Sequence, residues 1–142
     1  RFTSADFQDI KKVLEFRWLI EPEACYMATQ AADPEMIHHL HHLLDRMMDE
    51  VGNQEAFVQA DIDFHLELCR ASGNPLILKC MEMVYTENRN DFTLINDQFG
   101  YKDGIYYHTL IYKAVEESNA ELARDYMQEH LRQALDRMEI EQ

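Results

Sequence analysis

The sequence of 142 residues is poor in the residues that make turns, with four glycines and three prolines. A β-sandwich or barrel needs many such residues, so their scarcity disfavours a β architecture. No run of about 18 apolar residues is present, which argues against a membrane-spanning segment. The three cysteines include no CxxC pair, and an odd number cannot complete a disulfide framework within one chain. We therefore expect Cys25, Cys69 and Cys80 to be reduced core residues of a cytoplasmic protein.

Basic residues are also scarce, since 13 Lys and Arg stand against 27 Asp and Glu and give a net charge of −14. Binding a phosphate backbone requires a positively charged surface, so the composition argues against direct nucleic-acid binding by this chain. An anionic membrane surface is disfavoured for the same reason. With 46% hydrophobic residues, the chain is long and apolar enough to form one globular domain.

Helix start signals recur along the chain at helical spacing. The candidate caps are Thr3 with Asp6, Asp33 before Pro34, Asn53, Asn74 before Pro75, Asp103, and Ser118 with Glu121. Together with the apolar periodicity they predict six helices, at about 4–31, 34–51, 54–72, 75–94, 103–117 and 119–140. We expect Pro22 to kink or split the first helix and residues 95–102 to form the longest loop. The short connections favour an all-α, antiparallel bundle.

The third predicted helix carries two ionisable residues on its apolar face. Asp61 and His65 lie one turn apart there, so their side chains can reach one point in space. The other members of this face are Phe57, Phe64 and Leu68. The polar face of the helix holds Gln59, Asp63, Glu67 and Arg70. A buried carboxylate is costly unless a cation or hydrogen bonds compensate it, so Asp61 requires a partner.

Two further histidines lie on the apolar faces of their helices, His108 in the fifth predicted helix and His130 in the sixth. One acid and three imidazoles from three helices indicate a shared metal site in the bundle interior. Two other interpretations stay open at this point. The groups could be separate hydrogen-bonded core residues, or Asp61 could pair with one histidine alone.

A second group of histidines, at positions 38, 39, 41 and 42, has a different pattern. His38 and His42 share the polar face of the second predicted helix with Asp45 and Asp49. We therefore expect this group to be a solvated helix face, although it looks more like a metal-binding cluster by eye.

Arg17 lies in the most apolar stretch of the first predicted helix, so its guanidinium requires an anion. Glu21, one turn further on, could supply that anion at the helix surface. Alternatively, Arg17 forms a bidentate contact with the carboxylate of a ligand. The sequence leaves both interpretations open.

Short motifs spread over nearly the whole chain combine into a specific pattern. They are D-x-x-F-H at 61–65, A-S-G-N-P at 71–75, H-x-x-I-x-x-A at 108–114, Ala123 and Met127 leading to His130, and Glu15-x-Arg17 with Glu21-Pro22. This pattern resembles the FCD domain, the ligand-binding domain of FadR-subgroup, GntR-type bacterial transcription regulators.

The resemblance implies a bundle of six to seven helices in which Asp61, His65, His108 and His130 bind a divalent metal. Zinc or nickel comes first among the candidate ions, followed by manganese, cobalt and iron. It also implies a homodimer. A divalent ion held by one aspartate and three neutral histidines, with Arg17 nearby, would leave a positive site, so we expect the effector to be a small organic acid, such as a sugar acid or hydroxycarboxylate, bound at this metal. Such regulators bind DNA through a winged helix-turn-helix, and nothing in residues 1–142 resembles one. We therefore interpret 1–142 as one effector-binding and dimerisation domain, with Arg17 as the candidate ligand contact.

Two other functions use the same residues. A small helical metalloenzyme could act on an organic acid at an open metal position. It would need a further general base, and no other inward Glu or His falls on the apolar faces described above. A purely structural metal would instead have a closed coordination shell. We expect a cytoplasmic, non-enzymatic sensor.

Overall fold

The fold is an all-helical bundle, seen in a computed structural model that describes residues 9–140, with side chains up to Met138. Within that range it contains seven helices and no β-strand. The helices are α1 (Ile10–Ala31), α2 (Pro34–Asp49), α3 (Gln54–Ala71), α4 (Pro75–Glu87), α5 (Arg89–Phe99), α6 (Lys102–Glu116) and α7 (Ala120–Ile140). The predicted fold class is therefore confirmed. None of the described helices is long and apolar enough to cross a membrane.

Three of the predicted helix starts are confirmed by their hydrogen bonds. Asp33 and Asn74 each accept a hydrogen bond from the main-chain N–H two residues later, and each precedes a proline in the first turn. Asn53 accepts from the N–H of Ala56 at the start of α3. These caps satisfy main-chain donors that have no partner inside the helix. The capping box predicted at Thr3 and Asp6 lies outside the described residues.

Two other predicted caps are wrong. Asp103 lies inside the first turn of α6, after Lys102, and pairs with Arg137 of α7 instead of capping the helix. Before α7, Asn119 accepts a hydrogen bond from the N–H of Leu122, while Ser118 adopts a left-handed backbone conformation with φ of 57°. Asparagine is as good an N-cap as serine. Here Asn119, the residue after Ser118, caps α7 instead.

The predicted loop at 95–102 and the single helix at 75–94 are also wrong. The chain instead breaks at Asn88, between α4 and α5, and α5 continues to Phe99. The buried amide of Asn88 donates to the carbonyl of Val84, one turn back, which provides a side-chain alternative to regular helical bonding. The apolar residues Phe92, Ile95 and Phe99 are spaced as on one face of a helix, and this signal was overlooked.

Pro22 lies inside an unbroken α1, so the expected split does not occur. A proline removes one hydrogen bond from a helix interior. Here α1 packs along α7 and against α3, and Pro22 itself is buried. Packing on several sides compensates for the missing hydrogen bond.

The core is built around α3, which contacts α1, α2, α4 and α5. One apolar cluster, which includes Phe64 and Leu68, joins α3 to α1, α2, α6 and α7. A second, which includes Ile62, joins α3 to α1, α4, α5 and α7. Residues 61–65 of α3 therefore lie where the two clusters meet.

The three cysteines are all free, as predicted, with Cys25 and Cys69 buried and Cys80 partly so. Burial raises the pKa of the Cys25 thiol to about 12, which keeps it protonated at neutral pH. Glu67, expected on the polar face of α3, is buried instead. Its carboxylate accepts hydrogen bonds from Arg70 and lies 3.2 Å from Nδ1 of His39. The long arginine covers the glutamate, which periodicity alone does not predict.

We predict that Leu68→Ala lowers the free energy of unfolding by about 2–5 kcal/mol, because the side chain is 1% exposed and its removal leaves a cavity. The matched control is Leu94→Ala on α5, where the leucine is 65% exposed and the expected change is about 0.5 kcal/mol or less. Urea denaturation measures both. Equal losses would contradict the placement of the core.

Candidate metal centre

Three helices bring the predicted metal ligands together inside the bundle. Asp61 and His65 lie one turn apart on α3, His108 lies on α6 and His130 on α7. A set of ring nitrogens, one from each of the three histidines, lies within a span of 4.8 Å. The opposite ligands of one metal ion lie about 4 Å apart, so these three histidines could hold a metal ion with little rearrangement.

Asp61 lies against two of these rings. Its Oδ1 is 2.8 Å from Nε2 of His108 and 3.3 Å from Nε2 of His65. The carboxylate is partly exposed, whereas both rings are buried. Asp61 is therefore placed to be a fourth ligand, on the side of the site that opens toward solvent.

The outer nitrogens of His65 and His108 are already occupied by hydrogen bonds. Nδ1 of His108 lies 2.6 Å from the carbonyl oxygen of Gly104, and Nδ1 of His65 lies 2.6 Å from Oε1 of Glu21. A carbonyl oxygen and a carboxylate can only accept, so both Nδ1 atoms carry the proton. In the neutral rings each Nε2 therefore presents a lone pair to the centre.

Three buried polar atoms at the centre, Asp61 Oδ1, His65 Nε2 and His108 Nε2, lie within 3.3 Å of one another or of a shared neighbour, yet they form no hydrogen bond of regular geometry among the described residues. Two imidazole lone pairs and a carboxylate oxygen that face one another repel unless a cation lies between them. A divalent metal bound by histidine and carboxylate has the charge and the coordination chemistry that this donor set requires. The residues present therefore fit a metal ion.

The electrostatics of the four groups differ. Burial would raise the pKa of Asp61, but the imidazoles of His108 and His65 outweigh it and hold that pKa well below its usual value. Burial lowers the pKa of His130 far below its usual value, and the neighbouring His108 and His65 lower it further. At neutral pH, His130 is therefore an uncharged ring with a lone pair available for coordination.

His65 is the exception among the rings. Burial would lower the pKa of His65, but the carboxylates of Glu21 and Asp61 raise it to about 9. A proton therefore occupies this ring at neutral pH when no other cation is near. A metal ion bound here would replace that proton, and His65 would then hold the ion through Nε2.

Arg17 and Glu21 form the pair that the sequence allowed, but they form it inside the protein and not at the helix surface. Nε of Arg17 donates to Oε2 of Glu21 at 2.7 Å, and both side chains are buried. Tyr85 donates a further hydrogen bond to Oε2 at 2.8 Å, and its ring lies under the guanidinium. Arg17 holds the pKa of Glu21 at about 2 against the effect of burial, and His65 adds to the lowering.

A cavity of about 120 Å³ lies beside the centre. Arg17, Asp61 and His130 line it, and α5 contributes an apolar wall. The wall consists of Phe92, Ile95 and Phe99 together with Asn96. Nε of Arg17 is taken by Glu21, and the same arginine side chain also lines the cavity. Both interpretations of Arg17 are therefore compatible with the geometry, since the residue is paired and also lines the cavity.

Sequence periodicity located Asp61, His65, His108 and His130, but it missed two parts of the site. Glu21 was considered only as a surface partner of Arg17, and residues 95–99 were predicted to be a loop. Apolar residues around Glu21 and within residues 95–99 recur at spacings of three and four. This spacing indicates a helix with a buried face. In contrast, His38, His39, His41 and His42 are exposed on α2, as predicted, and lie outside the cluster that could hold a metal.

Comparisons with known proteins agree with this architecture. GntR of Streptococcus agalactiae superposes with a TM-score of 0.74 at 23% identity, over 89% of this chain and 57% of that one. McbR/YncC of E. coli superposes with a TM-score of 0.80 at 16% identity, over 94% of this chain and 66% of that one. At these identities the likeness shows the fold alone, and the chain spans less than two thirds of the length of each. No curated protein gave a match.

The motif pattern in the sequence is confirmed by a family model. The model of the FCD domain matches residues 12–133, which include Arg17, Glu21 and all four candidate metal ligands. The chain therefore belongs to the FCD domain family.

Proposed function

We propose that this chain is the effector-sensing and dimerisation domain of a cytoplasmic, GntR-type bacterial transcription regulator of the FadR subgroup. It binds a divalent metal through Asp61, His65, His108 and His130, and a small organic acid at that metal. The intact regulator binds DNA through an N-terminal winged helix-turn-helix outside the sequence given. The observation that carries the metal site is the convergence of three buried polar atoms without a regular hydrogen bond, Asp61 Oδ1 and the Nε2 atoms of His65 and His108.

Three imidazoles and one carboxylate are a donor set that zinc and nickel both accept, with manganese, cobalt and iron as further candidates. Four protein ligands leave one or two positions open on a five- or six-coordinate ion. The cavity reaches Asp61 and His130, so a molecule in the cavity can reach such an open position. This is the arrangement that a metal-dependent sensor requires.

Charge and volume together define the ligand class. A divalent ion and Arg17 bring three positive charges, and the carboxylates of Asp61 and Glu21 bring two negative ones, which leaves +1 in the site. One carboxylate neutralises this charge, and a neighbouring hydroxyl can complete a chelate ring. A cavity of about 120 Å³ suits a small hydroxycarboxylate or sugar acid better than a long acyl chain.

Binding of such an acid connects elements that are separate in the sequence. Arg17 belongs to α1, the metal ligands belong to α3, α6 and α7, and α5 closes one side of the cavity. A ligand that favours one arrangement of these helices shifts the domain toward that arrangement. In the dimer, this shift changes the position of the DNA-binding domains and hence the affinity for the operator.

An enzymatic role is disfavoured by the state of Glu21, the additional carboxylate buried beside the centre. Oε1 of Glu21 is engaged by His65, and Oε2 by Arg17 and Tyr85. With its pKa held at about 2, chiefly by Arg17, this carboxylate is a poor proton acceptor. We therefore propose a non-enzymatic sensor, for which incubation of the metal-loaded protein with bound acids gives no turnover.

We predict that metal removal lowers the melting temperature by about 10 °C, since binding at 100 times Kd stabilises a domain of this size by about 2.7 kcal/mol. His130→Ala removes most of this metal response, because it removes one inward ligand. His42→Ala, on the exposed face of α2, is the matched control and leaves the response intact. Differential scanning calorimetry with and without chelator measures both. Identical melting with and without added metal would contradict the site.

We predict that metal-loaded protein binds small hydroxy monocarboxylates of three to six carbons, and that metal-free protein binds them weakly. Arg17→Lys keeps the positive charge beside Glu21 but loses the forked donors, so we expect the acid to bind about 10–100-fold more weakly with metal affinity unchanged. Arg132→Lys, at a half-exposed pair with Asp136, is the control. Calorimetry with an acid panel measures these affinities, and tight acid binding without metal would contradict the model.

We predict a homodimer in solution, because a two-fold operator requires a two-fold protein. The isolated domain dimerises more weakly than the intact regulator if the DNA-binding domains add to the interface. Sedimentation velocity over a concentration series measures the association. A domain that remains monomeric at the highest concentration would contradict a strong interface within this chain.

A further inference from the structure

Glu21 is one of the most deeply buried charged residues in the described part of the chain, with 1% of its surface exposed. Its two oxygens have different partners. Oε1 lies 2.6 Å from Nδ1 of His65 on α3, whereas Oε2 accepts hydrogen bonds from Arg17 on α1 and Tyr85 on α4. The carboxylate therefore connects the cavity-lining arginine to a candidate metal ligand, and neither the sequence pattern nor the family model assigns it a role.

We propose that Glu21 is a positioning residue of the metal centre, which fixes the ring orientation and tautomer of His65 and thereby sets the metal affinity of the site. This inference rests on the proposed function, because it takes His65 as a metal ligand.

The physical reason lies in the two nitrogens of one imidazole. A carboxylate that accepts the Nδ1 proton holds the ring with its Nε2 lone pair toward the centre and makes that lone pair a stronger donor. His108 donates the equivalent hydrogen bond from its Nδ1–H to the neutral main-chain carbonyl of Gly104. Of these two ligands, His65 is thus the one whose donor strength depends on a charged side chain, and Glu21 is the side chain that substitution can change.

The same carboxylate also orients Arg17, through a 2.7 Å hydrogen bond to Nε. Because one group holds both the metal ligand and the cation of the cavity, its loss affects two affinities. We expect Glu21→Gln to weaken binding of the metal and of the acid, whereas Arg17→Lys weakens binding of the acid alone. This difference separates the role of Glu21 from that of Arg17.

The first measurement is the Kd for Zn²⁺, obtained by competition with a chromophoric chelator. We expect Glu21→Gln to bind Zn²⁺ about 10–100-fold more weakly than the wild type, which is the usual effect of losing an outer hydrogen-bond partner. The matched control is Glu67→Gln. Glu67 is another buried glutamate, 5% exposed, which pairs with Arg70 and lies beside Nδ1 of His39, away from the centre. We expect this control to bind Zn²⁺ like the wild type.

The second measurement is the proton resonance of the His65 Nδ1–H group, identified by its loss in His65→Gln. A short hydrogen bond to a carboxylate shifts this resonance downfield and slows its exchange with water. We expect Glu21→Gln to move it upfield and Glu67→Gln to leave it unchanged. If Glu21 only stabilised the fold, its substitution would not move the His65 Nδ1–H resonance. A shift in Glu21→Gln but not in Glu67→Gln therefore indicates a direct effect on His65.

Glu21→Gln leaves the Arg17 charge buried without its anion, which can unfold the protein. The double variant Arg17→Met with Glu21→Gln removes both charges, and its reference is Arg17→Met alone. We expect the double variant to bind Zn²⁺ about 10–100-fold more weakly than that reference. If the wild type binds Zn²⁺ and each Glu21 variant binds it as tightly as its reference, the proposed role of Glu21 is wrong, whereas the proposed function stands. A wild type that takes up no metal would overturn the proposed function and this inference with it.

Discussion

The buried carboxylate of Glu21 is the interaction on which the rest of the site depends. It balances Arg17 on one side and holds His65 on the other, inside a mostly apolar bundle. Removing one member of a buried charged pair leaves the other without compensation, which usually costs several kcal/mol. The helices that carry these groups, α1 and α3, are therefore tied together by more than hydrophobic packing. Their relative position is fixed by a hydrogen-bonded chain that tolerates little displacement.

The polar groups sit where the two main apolar clusters meet, on the central helix α3. This location places Asp61 and His65 among residues such as Phe64, which packs 4.5 Å from the His108 ring. An apolar surround strengthens the electrostatic interactions of the groups inside it and makes an unpaired group expensive. The donor set is thus poised for a cation, because the lone pairs that face one another at its centre are otherwise unsatisfied. Well-packed apolar residues at these positions would stabilise the fold as well or better, so stability alone does not explain the polar groups.

The cavity follows from the same arrangement. Its polar side is formed by Arg17, Asp61 and His130, and its apolar side by α5, which packs on α3 and is preceded by the break at Asn88. With the proposed divalent ion bound, the groups around this cavity would carry one net positive charge, which favours a compact anion. The cavity is lined by helices from both ends of the chain, including α1 and α7, so a ligand bound there would contact both.

The sequence by itself determined the fold class, most helix starts and the inward direction of His65, His108 and His130. These follow from local rules: an Asp or Asn before a proline caps a helix, and spacing of three and four residues defines a face. It also showed that the histidines of α2 face solvent.

Only the tertiary structure decided what lies opposite each face. The position of Glu21 against His65 depends on how α1 packs on α3, across 44 residues of sequence, and no periodicity reports that distance. The helical state of residues 95–99 and the burial of Glu67 likewise depend on contacts with other side chains. The sequence thus predicted that His65, His108 and His130 point inward. The packing of the helices decided which buried groups meet, because a pairing between distant residues is a property of the whole bundle.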